Sequence, residues 1–241
     1  MSVEKGMSQM SIIRVLSAGA PKGGVARTAE LFEKTTGHSF EITFTPAPRI
    51  KETVEGGTAE ADVVVAAAPA VEAFEAQGRT IAGVMTVIGS IKAGVVVRVG
   101  AHEPDISSAE SLKTELLAAD SLVRNEASSG LYIASMIEAM GIAEEVGDKT
   151  VCLPTGGDVL DHLAQSELEL EIGFGQLTEI RRLEPEGKIK LVGALPKEVE
   201  NITTYAAAPL ADAVDGDAAK AYVEFLAGSD AGEILRASGV E

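Results

Sequence analysis

The sequence is poor in cysteine and in positive charge, and each shortage excludes a class of protein. Cys152 is the one cysteine among 241 residues, so no internal disulfide can form and the fold must depend on its hydrophobic core. Lys and Arg number 20 against 37 Asp and Glu, which gives a formal net charge of -17. Because nucleic acids and anionic membranes are bound through clusters of Lys and Arg, this balance disfavours both as partners.

Long hydrophobic runs are missing as well. No stretch approaches the roughly 20 consecutive apolar residues of a membrane-spanning helix, so we predict no membrane insertion. Residues 1–15 contain no apolar run of about seven or more residues, which the central region of a signal peptide requires. The sequence as it stands is therefore expected in the cytoplasm; if a leader has been removed from it, the periplasm is expected instead.

Several signatures of catalysis and cofactor binding are also absent. The glycine-rich turn 19–24 is followed by Val25 and Ala26, where a P-loop needs Lys and then Ser or Thr, so nucleotide hydrolysis is excluded. No Gly-x-Ser-x-Gly elbow occurs, and the pair Gly173 and Gly175 lacks the third glycine of a dinucleotide site. The three histidines are far apart and have no Cys or carboxylate at ligand spacing. We therefore predict no metal and no cofactor.

The residues that are present predict a folded α/β protein. Short β-branched segments alternate with helical patterns from Ile12 onward, as in doubly wound sheets covered by helices on both faces. In the first helical pattern Val25, Ala29 and Phe32 share a face, and Gly37 ends the helix. The predicted strands cover residues 12–17, 40–45, 62–66, 91–99, 121–124, 151–153, 170–174, 189–192 and 202–208.

The pattern starts again near residue 120, which predicts two lobes. Two short helices remain at the C-terminus, with Asp217 and Asp230 as their predicted caps, and we expect them to pack on the first lobe. The chain would then cross between the lobes near residues 92–94 and 201–205, as a two-strand hinge beside a ligand cleft. The predicted first lobe covers residues 11–92 and 203–241, and the second covers residues 93–202.

Two similar turns are the strongest functional signal. Residues 19–24 follow the first strand and open the first helix, and residues 125–130 do the same in the second lobe. Free N–H groups and the helix dipole attract anions at such positions, and ligands of doubly wound sheets lie beyond the carboxyl ends of the strands. Ser128 or Ser129 could instead simply cap the helix, but the pairing of the two turns favours a shared cleft.

Other strand ends should line the same cleft, because parallel strands end at one edge of a sheet. With these junctions added, the predicted ligand-binding positions are Gly19, Ala20, Pro21, Lys22, Thr45, Pro46, Ala47, Ala68, Arg124, Asn125, Ser128, Ser129, Gly130, Tyr132, Phe174 and Tyr205.

The order and spacing of these motifs resemble a known family. The segment 16–20, the helix that ends near Gly37, the strand 62–64 and the segment 129–132 together resemble the type II periplasmic binding proteins, specifically their molybdate-binding branch. The resemblance covers almost the whole chain from Ile12. It implies two α/β lobes joined by a double hinge, with an anion trapped through hydroxyls and backbone N–H groups.

The sequence departs from that family at the expected anion site. The first-turn serine of molybdate binders falls on Ala20 or Pro21, and the second-strand serine falls near Pro46 or Ala47, although Thr45 could supply a hydroxyl. In exchange, the cleft gains charged candidates that suit a carboxylate better than a small tetrahedral oxyanion. These are Lys22, Arg49, Arg124 and Glu126.

Two main functions remain open from the sequence. The first is capture of a small anion, a carboxylate or an oxyanion, with an ABC transporter as partner only if the protein is exported. The second follows from a resemblance to aconitate isomerases of the same family, and is a cofactor-independent isomerase of an unsaturated tricarboxylate. Lys22 and Glu126 are its predicted catalytic groups, with Tyr132 and Tyr205 as further acid or base candidates. A ligand-sensing module that signals to a partner is a third interpretation.

Overall fold

A computed structural model describes residues 10–241. The prediction that no signal peptide is present rests largely on residues 1–9, which lie outside the described residues. No helix within residues 10–241 combines the length and the hydrophobicity needed to cross a bilayer.

Strands and helices alternate as the sequence predicts. The strands are β1 (Ile12–Ser17), β2 (Ser39–Phe44), β3 (Val63–Ala67), β4 (Thr86–Arg98), β5 (Ser121–Asn125), β6 (Thr150–Leu153), β7 (Glu171–Gln176), β8 (Ile189–Ala194) and β9 (Ile202–Pro209). The helices are α1 (Lys22–Thr36), α2 (Ala47–Glu55), α3 (Ala68–Ala76), α4 (Ala109–Ala118), α5 (Ser128–Ala139), α6 (Ala143–Gly147), α7 (Gly156–Gln165), α8 (Leu177–Leu183), α9 (Gly216–Leu226) and α10 (Ser229–Ala237). Helices α6 and α8 have no counterpart among the predicted elements.

The sheet is mixed rather than wholly parallel. The strand order is β2-β1-β3-β9-β4-β7-β5-β6, and β8 also pairs with β4. Pairing is parallel from β1 to β2 and β3, and from β5 to β6 and β7, whereas β9 and β4 run antiparallel to their neighbours. Strand β4 belongs to both halves of the sheet, because its residues 86–92 pair with β9 and its residues from Ala93 onward pair with β7.

Separate hydrophobic cores define two lobes. The first lobe is built around one large cluster that joins β1, β3 and β9 to α1, α9 and α10, with Phe32, Phe40 and Tyr222 in mutual ring contact. The second lobe has two clusters, one containing Ile133 and the other Leu160. The C-terminal helices thus pack on the first lobe as predicted, while the boundaries at residues 92/93 and 202/203 stay predictions.

Two predicted helix caps are wrong. The Asp215 carboxylate, rather than that of Asp217, accepts the N–H of Ala218 at 3.0 Å and so caps α9. Helix α10 begins after Gly228 without a side-chain cap, so Asp230 lies inside its first turn. In α9 the register is set by burial of Ala219 and Tyr222 against the first core, and that burial fixes which acidic residue precedes the helix.

Candidate functional site

A cavity of about 230 Å³ lies between the lobes at the carboxyl ends of β1, β2, β5 and β6. Lys22, Ser128 and Gly156, the first residues of α1, α5 and α7, line it. The first turn of a helix carries backbone N–H groups without intrahelical partners and the positive end of the helix dipole. The residues that line it are Ala18, Gly19, Ala20, Lys22, Phe44, Thr45, Pro46, Ala47, Ala67, Asn125, Ala127, Ser128, Ser129, Pro154, Thr155, Gly156, Gly157, Gln176, Glu179, Arg182 and Tyr205.

The wall from the first lobe is formed by the turn before α1 and by the end of β2. Lys22 is the first residue of α1, and its ammonium nitrogen lies 5.0 Å from the centre of the Phe44 ring. A cation over an aromatic face is stabilised by the ring quadrupole, so this contact holds the charge of Lys22 beside the cavity.

The wall from the second lobe is organised by Asn125. Its side-chain oxygen accepts the N–H groups of Ala127 and Gly130 at 2.9 and 3.1 Å, and its amide nitrogen donates to the Ser129 hydroxyl at 3.3 Å. Helix α5 has no side-chain cap from Ser128 or Ser129, so the capping role considered for them is wrong. Both serines line the cavity, and the Ser129 hydroxyl, which accepts from Asn125, keeps its own proton for a further hydrogen bond.

Gly130 allows this turn to lie against β5. A Cβ on Gly130 would lie 1.8 Å from the Asn125 carbonyl oxygen, closer than any side chain permits. Gly130 itself is buried behind the wall and does not line the cavity.

The carboxylate of Glu179, on α8, lies where the first-lobe wall and the second-lobe wall of the cavity meet. A Cβ on Gly19 would lie 2.9 Å from Glu179 Oε1, and one on Gly156 would lie 2.3 Å from Glu179 Oε2, so both glycines leave room for this carboxylate. Burial raises the pKa of Glu179 to about 7, against the opposing positive charges of Arg182 and Lys22. Near neutral pH Glu179 can therefore either donate or accept a proton.

Contacts across the cleft hold the two lobes together. The Thr178 hydroxyl on α8 donates to the backbone oxygen of Ala20 at 2.7 Å. Tyr205 on β9 hydrogen-bonds Ser128 on α5; burial raises the pKa of its hydroxyl, the charge of Glu179 raises it further, and the Ser128 bond opposes both. Tyr205 therefore stays protonated, as a hydrogen-bond donor rather than a base.

Most of the predicted ligand-binding positions meet at the cavity. Nine of them come from both lobes and form a continuous surface: Gly19, Ala20, Lys22, Thr45, Pro46, Ala47, Asn125, Ser128 and Ser129. Tyr205 joins them from β9.

Other predicted positions lie away from it. Pro21, Ala68, Gly130 and Phe174 are buried in the protein interior and do not line the cavity. Arg124 donates from its guanidinium to the backbone oxygen of Asn125 at 3.3 Å, and Tyr132 donates to the Val199 carbonyl at 3.1 Å.

Glu126, a predicted catalytic group, is exposed outside the cavity. It precedes α5, and its backbone N–H bonds the Leu153 carbonyl at 2.9 Å. That bond ties the backbone of Glu126 to the end of β6, so the prediction that Glu126 contacts the ligand is not supported by its position.

Sequence reasoning missed Glu179, Arg182 and the segment 155–157. Thr155 caps α7 through a reciprocal pair of bonds with Asp158, at 3.1 and 3.0 Å. The sequence did contain a signal for them. Residues 19–24 and 125–130 were identified as turns that join a strand to a helix, and the turn from β6 to α7 and the turn from β7 to α8 are of the same kind.

Across residues 10–241 no three His, Cys, Asp or Glu side chains converge as a metal ion would require. Cys152 is exposed on β6.

The family is decided by a match over nearly the whole chain. A family profile described as bacterial extracellular solute-binding protein matches residues 13–241. The chain belongs to this solute-binding family. The cavity of this solute-binding chain lies where its two lobes face each other.

Individual relatives of the solute-binding chain support the same fold. The periplasmic molybdate-binding protein of Azotobacter vinelandii superposes with a TM-score of 0.77 at 18% identity, covering 95% of this chain and 98% of its own. The sulfate-binding protein of Mycobacterium tuberculosis gives a TM-score of 0.75 at 17% identity, covering 95% and 86%. Aconitate isomerase of a Pseudomonas species is 27% identical over 237 residues, covering 96% of this chain and 88% of its own.

Proposed function

We propose that the protein captures a small carboxylate anion in the interlobe cavity. The observation that carries this proposal is that three helix N-termini, Ser128, Ser129 and Arg182 line one cavity between the lobes. The N–H groups and hydroxyls donate hydrogen bonds, and a guanidinium pairs a carboxylate with two parallel bonds. The names of the molybdate- and sulfate-binding relatives support an anionic ligand.

Glu179 and Gln176 supply hydrogen-bonding groups for a carboxylate ligand. With its pKa near 7, the protonated Glu179 can donate a hydrogen bond to a bound carboxylate. Gln176 also lines this cavity, and its buried side-chain oxygen has no hydrogen-bond partner in the described part of the chain. It can accept a bond from a ligand hydroxyl, which a bare tetrahedral dianion does not carry.

Isothermal titration with tricarballylate, a saturated tricarboxylate, tests the proposal. We expect saturable binding, and we expect Arg182→Gln to weaken it by about tenfold or more, since a hydrogen bond to a charged group contributes roughly 1.5–3 kcal/mol. Arg181→Gln is the matched control, because Arg181 is the neighbouring arginine on α8 and does not line the cavity. Absence of binding for tricarballylate, sulfate and molybdate alike would contradict capture of an anion.

A second candidate is isomerisation of an unsaturated tricarboxylate. A group with pKa about 7 inside the anion cavity favours it, together with the 27% identity to aconitate isomerase. In this scheme the Glu179 carboxylate removes a proton from the methylene carbon of trans-aconitate. The electron pair spreads over the allylic carbons and the adjacent carboxylate, beside Lys22 and Arg182. Glu179 then returns the proton to the far allylic carbon, and the double bond shifts.

Proton NMR of trans-aconitate incubated with the protein and a chelator tests the isomerase. We expect conversion to the cis isomer, and we expect Glu179→Gln to lower the turnover number by at least about a hundredfold because the base is lost. Glu126→Gln, which changes an exposed carboxylate outside the cavity, should keep the wild-type rate. Binding of trans-aconitate without any conversion would eliminate this candidate and leave the first one standing.

Delivery of the anion to an ABC transporter follows if the protein is exported, whereas the isomerase or a sensor would suit a protein that stays in the cytoplasm.

A further inference from the structure

We propose that the protein has a second anion site, a basic pocket that takes a polyvalent phosphate anion. The pocket has a volume of about 410 Å³ and shares with the cavity the wall formed by Gly19, Ala20, Lys22, Glu179 and Arg182. Its other sides come from α1, α8 and the end of α10. It is therefore a separate space that lies next to the proposed carboxylate site.

The charge of the basic pocket is opposite to that of the whole chain. Five cationic side chains line it, against the single carboxylate of Glu179: Lys22, Arg27, Arg181, Arg182 and Arg236. These are five of the 20 Lys and Arg residues in a chain whose net charge is -17. Within residues 10–241 none of the five forms an ion pair with an acidic side chain.

Such a concentration of unpaired arginines favours a phosphate ligand. Like charges in one pocket repel each other, and an anion with several negative charges removes that repulsion. Guanidinium groups bind phosphate oxygens with two parallel hydrogen bonds each, so several arginines can share one pyrophosphate or triphosphate group. A monovalent carboxylate would leave most of the positive charge uncompensated.

The cations come from both lobes. Arg27 and Arg236 lie on α1 and α10 of the first lobe, whereas Arg181 and Arg182 lie on α8 of the second. Helix α8 already contacts the first lobe here, since a Cβ on Gly239 would lie 3.2 Å from Thr178 Cγ2 and 3.9 Å from Arg181 Nη1. An anion in the basic pocket would therefore bridge the lobes and favour the closed arrangement that encloses the cavity.

Coupling between the two sites follows from this bridging. If pyrophosphate favours the closed arrangement, it strengthens binding of a cavity ligand, and the cavity ligand strengthens binding of pyrophosphate by the same factor. We expect a factor of about five or more, the lower end of measured couplings between sites.

Titration of the 241-residue chain with pyrophosphate, with and without saturating tricarballylate, tests the basic pocket. We expect one pyrophosphate per chain, at least about tenfold weaker binding in the Arg27→Gln/Arg236→Gln double variant, and unchanged binding of tricarballylate alone. The matched control is Lys34→Gln/Lys51→Gln, which removes the same charge from exposed positions outside the pocket.

Three results would overturn the second site. The first is an absence of pyrophosphate binding. The second is an equal loss of pyrophosphate affinity in Arg27→Gln/Arg236→Gln and in the control Lys34→Gln/Lys51→Gln, which would indicate a general charge effect. The third is competition between pyrophosphate and tricarballylate, with pyrophosphate binding lost in Ser128→Ala, because both would then occupy the cavity. Pyrophosphate binding that depends on Arg27 and Arg236 in a protein that binds no carboxylate would support the basic pocket and contradict the proposed function.

Discussion

Alanine at position 130 is expected to lower the free energy of unfolding by about 3 kcal/mol, the upper part of the usual range for overpacking. The new Cβ would lie 1.8 Å from the Asn125 carbonyl oxygen and 2.6 Å from the Asn125 side-chain oxygen. Neither oxygen can move freely, because the side-chain oxygen already accepts the N–H groups of Ala127 and Gly130. Helix α5 would have to move away from β5, and Ser128 and Ser129 would move with it.

Urea unfolding followed by circular dichroism measures this loss. Gly147→Ala is the control, since a Cβ at Gly147 meets no atom within 4 Å. We expect this variant to be more stable than the wild type by no more than about 1 kcal/mol, because alanine is favoured over glycine in a helix. Titration of the folded fraction of Gly130→Ala should also show weaker carboxylate binding. Equal stability of Gly130→Ala and wild type would mean that α5 does not approach β5 this closely.

Binding of tricarballylate is expected to weaken as the pH rises above 7, and Glu179→Gln is expected to remove this dependence. Burial raises the pKa of Glu179 from 4.5 to about 7, so the group is neutral below pH 7 and negatively charged above it. The neutral form donates a hydrogen bond to the ligand, whereas the charged form repels it. If only the neutral form binds, the affinity approaches a tenfold fall per pH unit well above the pKa, and it falls about fiftyfold from pH 7, where half of Glu179 is already ionised, to pH 9.

The glutamine variant isolates this effect because its side chain has nearly the same shape and stays neutral throughout. Titrations at pH 7, 8 and 9 should therefore give a nearly constant affinity for Glu179→Gln, and the two proteins should differ most at pH 9. Glu186→Gln serves as a control for a general charge effect, since Glu186 is exposed on the second lobe and outside the cavity. A wild-type affinity that does not change between pH 7 and pH 9 would contradict the assigned role of Glu179.

Local sequence was sufficient for most of the fold. The apolar run 63–65 predicts a fully buried strand, and Val63, Val64 and Val65 are completely buried in β3. Gly37 ends α1 with a φ of 81°, which glycine adopts without strain. The paired turns likewise indicate the cavity, since strand ends on one edge of a sheet converge whatever their side chains are.

The charged groups of the site could not be predicted in this way. The segment Leu177–Leu183 contains charges at Glu179, Arg181 and Arg182, which alone look like the solvated face of a surface helix. Only the long-range packing of α8 against Gly19 and Gly156 buries Glu179 and raises its pKa. Glu126 shows the opposite error, because its nearness in sequence to the second turn suggested a contact with the ligand that its exposed position does not support.

Strand β4 has a consequence for how the two lobes can move. Its residues 86–92 pair with β9 and its residues from Ala93 onward pair with β7, with no loop between the two pairings. In this strand, a change in the angle between the lobes must therefore be taken up by the backbone dihedral angles around Lys92 and Ala93.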